Sequence, residues 1–104
     1  MIKIGFIYKI TNNLNKKCYI GQTHFTVEKR WKEHQQDSHK EFLQKRPLYN
    51  AIKKYGIENF SIETIEEVAN NLLNEREGYW IKYYNSYGNT GYNATLGGDR
   101  IRNK

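Results

Sequence analysis

The order of apolar and polar positions along the chain predicts six elements. Ile2, Ile4, Phe6, Tyr8 and Ile10 alternate with their neighbours, which places them on one side of a strand over residues 2–11. Asn12-Asn13-Leu14-Asn15-Lys16 is rich in turn formers, and residues 17–22, with β-favouring Tyr19 and Ile20, return as a second strand. Thr26 is placed to cap a helix whose first turn carries Glu28 and whose apolar stripe starts at Val27 and Trp31. Residues 37–46 show no clear period and read as a loop with some helix. Pro47 opens a further helix, on which Leu48, Ala51, Ile52 and Tyr55 recur at i, i+3, i+4 and i+7 before Gly56. Phe60, Ile62 and Thr64 alternate, so residues 59–66 form a third strand. Residues 71–84 carry the strongest helical pattern, with Leu73, Trp80, Ile81 and Tyr84 along one stripe. Beyond Asn85 the chain is a Gly-, Asn- and Thr-rich loop that closes on Gly97-Gly98. The order ββααβα argues an α+β fold: a small three-stranded antiparallel sheet flanked by three or more helices.

Length and composition narrow what such a fold does. The 104 residues make one domain, and at 38% hydrophobic with a mean hydropathy of −0.93 the core rests on few side chains, many of them aromatic. The net charge of +6 points to a polyanion as partner, although a solvated basic surface would carry the same charge. Cys18 is the one cysteine, which excludes an intramolecular disulfide and multi-cysteine zinc sites and leaves it as a small core residue. No apolar run approaches the length of a membrane span and no signal-peptide pattern starts the chain. A reducing, intracellular setting, the cytoplasm by default, is expected.

Three features invite chemistry, though each has a plainer reading when taken alone. Glu77 lies inside an apolar helical stripe, four after Leu73 and three before Trp80. A carboxylate there is costly to bury unless it is paired or binds a metal, but a stripe-edge Glu also reaches water or pairs with Arg76 or Lys82. Arg30 and His34, four apart, share a helix face that suits a phosphate and equally suits solvent. Tyr8 and Tyr19 stand on the two hairpin strands, where aromatic packing alone accounts for them.

Taken together they are more specific. Gly5-Phe6-Ile7-Tyr8 followed by Tyr19-Ile20-Gly21 resembles the paired motif of the GIY-YIG nucleases, with the first Gly displaced by one place. Residues 28–34, with Arg30 and His34, are similar to that family's Arg/His helix, and residues 75–81 resemble its metal-binding helix. Gly91-Tyr92-Asn93 resembles its closing Asn motif, and Leu96-Gly97-Gly98 follows as in intron-homing members. The four ordered motifs span nearly the whole chain. The resemblance implies a nuclease domain over residues 1–98, with 99–104 a basic tail or the start of a linker.

The resemblance also assigns roles. It implies a DNA endonuclease, nearest to the catalytic domain of intron-type homing enzymes, that hydrolyses phosphodiester bonds with one divalent ion, Mg²⁺ or Mn²⁺, on Glu77. Tyr8 is then the candidate for activating the attacking water, Arg30 the phosphate clamp, and His34 a proton relay or phosphate ligand. Tyr19 orders water or phosphate, and Asn93 holds the geometry of the site. Some homing members carry a further His in the loop before the helix that starts here at Pro47. His39 or Lys40 stands in for it, or Lys45 or Arg46 holds the phosphate. DNA is the expected partner, with a monomer in isolation and target choice left to a DNA-reading region outside this chain. Two other classes compete: a repair-type structure-specific nuclease, which shares the core, and a non-catalytic basic nucleic-acid-binding module. The second explains the charge but not the convergence of Tyr, Arg, His and Glu.

Overall fold

The computed structural model describes residues 3–97; Met1, Ile2, Gly98 and the segment 99–104 lie outside them. Within that span the predicted order holds. Strands β1 (Ile4–Asn12) and β2 (Cys18–Thr23) are followed by helices α1 (Val27–Asp37) and α2 (Pro47–Tyr55), then β3 (Phe60–Ala69) and α3 (Leu73–Tyr84), with short 3-10 turns between and after them. The three strands form one antiparallel sheet in the order β2-β1-β3, so β1 is central.

Local chemistry sets the boundaries. At the hairpin, Asn12 Oδ1 accepts from the Leu14 amide at 2.9 Å, and Lys16 takes the left-handed conformation (φ 68°) that turns the chain back. The Thr26 hydroxyl accepts from the Lys29 amide at 3.1 Å and starts α1. Pro47 occupies the first turn of α2, where its missing N–H costs nothing, and Gly56 ends that helix at φ 89°. Asn85 ends α3 in the left-handed region. Two boundaries differ from the sequence reading. The third strand runs on to Ala69 because β1 offers it a partner along its full length. Helix α3 begins two residues late, after a 3-10 turn over Asn70–Leu72.

The larger difference concerns the sheet. Alternation in the first strand predicts one apolar side, but both sides of β1 are covered. Tyr8 and Ile10 join a cluster with Leu48, Tyr49, Ala51, Ile52, Phe60 and Tyr92, against which Val27 and Trp31 of α1 also pack. Ile7 joins Ile20, Leu73 and Ile81 in a second cluster under α3. Ile7, which alternation assigned to the outer side, is fully buried, while Ile4, assigned to the core side, is exposed. The physical reason is the central position of β1: with helices on both faces, water is excluded from both and the period-2 signal loses its meaning. The register between β1 and β3 also shifts between Ile7 and Tyr8, leaving Ile65 as an extra residue that packs into the α3 cluster.

Truncating either face of β1 should therefore cost similar amounts. Ile7→Ala and Ile10→Ala are each expected to destabilise the domain by about 2–5 kcal/mol in denaturant titrations. A loss below about 1 kcal/mol for Ile7→Ala would mean that the second core does not exist as described.

Candidate active site

The α1/α2 side of the sheet buries a polar chain. His34, at 1% exposure, reaches from α1 between two tyrosine hydroxyls: its Nε2 lies 2.7 Å from Tyr8 Oη and its Nδ1 lies 2.8 Å from Tyr49 Oη. Tyr19 stands beside them, with its ring centroid 5.7 Å from that of His34 and 6.4 Å from that of Tyr8. Burial holds the His34 imidazole down at about 3, with the neighbouring Arg30 charge adding to the shift, so the ring is neutral at ordinary pH. Burial pushes the Tyr8 hydroxyl well above its ordinary range and Tyr19 adds to this, while Arg30 opposes it through its charge and a hydrogen bond. Tyr49 is pushed up to about 12, again chiefly by burial.

The close approach of Tyr8 to β2 explains one motif glycine. A Cβ on Gly21 would lie 2.4 Å from the Tyr8 hydroxyl oxygen and from the ring carbon that bears it. Gly21 pairs with Tyr8 across the sheet, and the ring lies over its backbone. A side chain at 21 would displace the ring from His34.

Glu77 comes to the site from the other face. It is buried on α3 beside Leu73 and Ile81, and its Oε1 accepts from Gln22 Nε2 at 3.0 Å. Gln22 also donates to Asn74 at 2.8 Å, so the amide and the carboxylate hold each other in place. Glu77 does not reach open water as a stripe-edge acid would, and Arg76 turns to Glu66, 2.8 Å away. Glu77 borders a cavity of about 260 Å³ that is also lined by Tyr19, Arg46, Leu48, Asn93 and Gly97. β2 is an edge strand, and the cavity lies where residues from its two faces meet.

A closing loop completes this edge. Asn93 Oδ1 accepts from the Ile20 amide at 2.8 Å and from Ser86 Oγ at 2.7 Å, and its Nδ2 donates to the Ile20 carbonyl at 2.9 Å. The side chain thus pairs with the strand backbone as a neighbouring strand would. The Tyr92 amide donates to the Cys18 carbonyl at 2.9 Å, and the Tyr92 hydroxyl accepts from Asn12 and Asn15.

Of the residues singled out from the sequence, Tyr8, Tyr19, Arg30 and His34 come together on one face, and Glu77 and Asn93 meet Tyr19 at the cavity. Arg30 is part-exposed and paired with Glu33 at 3.1 Å, so a phosphate there would compete with that carboxylate. His34 as a phosphate ligand needs correction: it is buried and both ring nitrogens face tyrosine hydroxyls. Asn93 serves geometry, since backbone and Ser86 occupy its amide. Among the four basic candidates, Arg46 lines the cavity, whereas His39, Lys40 and Lys45 do not, and Lys40 pairs with Asp37 at 2.9 Å. Tyr49, Gln22 and Ser86 were not singled out. Tyr49 falls outside the apolar series of its helix, and the partners of Tyr49 and Gln22 lie in other elements of the fold.

Among the described residues, no group of three or more His, Cys, Asp or Glu side chains gathers as a metal cage. Among the described residues, the cavity offers one carboxylate, Glu77. That does not suit a structural zinc ion. It fits Mg²⁺, a hard cation that keeps several waters and takes phosphate oxygens as further ligands.

Residues 4–93 match the GIY-YIG catalytic domain. The chain is 41% identical over 96 residues to intron-associated endonuclease 1 of Enterobacteria phage T4, covering 88% of this chain and 38% of that protein. Two solved structures of the catalytic domain of the intron endonuclease I-TevI, one a point mutant, superpose with TM-scores of 0.73 and 0.72 at 35% identity. Each covers 88% of this chain, and the match spans 94% and 98% of theirs. The chain spans between a quarter and two fifths of the curated relatives it matches.

The buried neutral imidazole has a consequence for acid stability. His34 binds a proton near pH 6.5 when unfolded but only near 3 when folded, so the unfolded state binds more protons between those values. Stability is expected to fall as pH drops from 6.5 toward 3, by up to ~1.4 kcal/mol per pH unit from this group. Denaturation midpoints of the wild type and His34→Gln, measured from pH 7 to pH 4, should diverge in slope, with the variant flatter. Parallel slopes would show that His34 does not carry this linkage.

Proposed function

The chain belongs to the GIY-YIG family, and on that premise we propose that it is an endonuclease domain that hydrolyses phosphodiester bonds in DNA with one divalent metal ion. The observation that carries the reading is Glu77. Its carboxylate is buried on α3 yet borders the same cavity as Tyr19 and Arg46. Burial of a carboxylate in an apolar stripe is costly, the Gln22 amide offsets part of that cost, and a cation at the cavity would offset more. When bound there, Mg²⁺ supplies Lewis-acid stabilisation of charge on the phosphate oxygens.

The remaining steps belong to the chain's own residues. The water oxygen attacks phosphorus, its proton passes to the Tyr8 oxygen, and the bond to the leaving sugar oxygen breaks. That oxygen takes a proton from solvent. Tyr8 must be ionised for this: burial opposes the phenolate, and the Arg30 charge and hydrogen bond beside it favour it. Arg30 and Arg46 bind the phosphate, and Tyr19, less buried than Tyr8, orders water at the cavity. His39, Lys40 and Lys45 contribute at most to the longer DNA path. The placement of charge agrees with this orientation. Glu63, Glu66 and Glu67 lie on β3, the strand at the far edge of the sheet from β2, so a polyanion is favoured on the β2 side. Among the described residues no helix is long and apolar enough to cross a membrane.

Nicking of supercoiled plasmid tests the proposal. The wild type is expected to nick with Mg²⁺ and to stop in excess chelator, and Glu77→Ala to be inactive while still folded. Tyr8→Phe should lower the single-turnover rate by at least ~10²-fold with little change in DNA affinity, whereas Arg30→Ala should lower both. Retention of DNA binding with no nicking under any metal condition would support the non-catalytic binding module instead. Undiminished nicking by Glu77→Ala would remove the metal role.

A further inference from the structure

Tyr49 lies outside every motif discussed above, yet it completes the buried chain at the site. Helix α2 carries it into the core, where it is 3% exposed, and its hydroxyl lies 2.8 Å from His34 Nδ1. On the other side of the same ring, Tyr8 Oη lies 2.7 Å from Nε2. A neutral imidazole has one N–H and one lone pair, so the two hydrogen bonds are not independent. Either Tyr8 donates to Nε2 and Nδ1–H donates to Tyr49, or Tyr49 donates to Nδ1 and Nε2–H donates to Tyr8.

The two arrangements differ in what they do to Tyr8. In the first, the Tyr8 hydrogen points into the protein, and ionisation there passes the proton to His34. The donor is a phenol held above its usual 10.0 and the acceptor an imidazole near 3. Burial and the Arg30 charge both disfavour an imidazolium there. In the second, the Tyr8 oxygen accepts from Nε2–H on one side and faces the Arg30 guanidinium on the other. Both favour the phenolate and oppose the effect of burial on it.

We propose that Tyr49 is a positioning residue: by donating to Nδ1 it holds His34 as the Nε2–H tautomer, which in turn donates to the Tyr8 oxygen and prepares it to ionise. His34 is then a donor to the base and not the acceptor of its proton. The inference rests on the reading of Tyr8 as the group that takes the proton from water.

The tautomer is measurable without turnover. Long-range ¹H–¹⁵N correlation spectra of the labelled protein distinguish pyrrole-type from pyridine-type ring nitrogens, and the His34 signals are assigned by their loss in His34→Gln. The expected result is a protonated Nε2 and an unprotonated Nδ1 in the wild type. Tyr49→Phe keeps the ring but removes the donor. It should lower the single-turnover nicking rate on plasmid with Mg²⁺ by at least about tenfold with DNA affinity nearly unchanged, and lower Tm by the loss of one buried hydrogen bond. Tyr49→Ser, which restores a hydroxyl without reach, should not recover the rate. A wild-type spectrum with Nδ1 protonated overturns the proposal, as does a folded Tyr49→Phe protein that nicks at the wild-type rate. If Tyr49→Phe fails to fold, the wild-type spectrum alone decides. A wild type that never nicks DNA refutes the nuclease reading, while the spectra still judge the role of Tyr49.

Discussion

The position of β1 at the centre of a three-stranded sheet governs the rest of the structure. A strand with helices on both faces must supply side chains to two cores, and neighbouring residues must serve opposite ones. Ile7 feeds the core under α3 and Tyr8 the core under α1 and α2. The core under α3 is apolar along β1, whereas the core under α1 and α2 begins with a hydroxyl. That hydroxyl has to be satisfied away from water, and His34 satisfies it. His34 in turn brings in Tyr49, so one buried tyrosine commits residues on β1, α1 and α2 to a single polar chain.

The same constraint divides the site. Residues on the two faces of a sheet are kept apart by the sheet itself, except at its edge. Tyr19 and Glu77 approach from opposite sides and meet where β2 has no neighbouring strand. Gln22 on β2 and Asn93 on the closing loop fix that meeting point by hydrogen bonds rather than by packing. A polar site built this way tolerates little displacement, because each group is also the partner that satisfies another.

Much of this was legible in the sequence, and what was not has definable causes. Element order, the Thr26 cap, the Pro47 start and the Gly56 stop are local effects and could be read locally. Glu77 stood out because a carboxylate interrupts an apolar period. Arg30 and His34 were correctly placed on one face, but their fates diverge within one helical turn: Arg30 is part-exposed and paired with Glu33, while His34 is enclosed. Periodicity reports a face and not what covers it. The inward placement of Ile7 was missed for the same reason. Tyr49, Gln22 and Ser86 had no signal, since the partners that give them meaning are brought near only by folding.

The clamp of Asn93 on Ile20 has a further consequence. An edge strand presents a row of backbone donors and acceptors to which the strand of another molecule can add. On β2 the Ile20 N–H and C=O are taken by the Asn93 amide, and the Cys18 carbonyl is taken by the Tyr92 amide. The closing loop therefore does for β2 what a fourth strand would do, while leaving room beside it for a cavity that a fourth strand would fill. Covering that edge and keeping the cleft beside it open are the same act, shared by the Asn93 side chain and the Tyr92 amide.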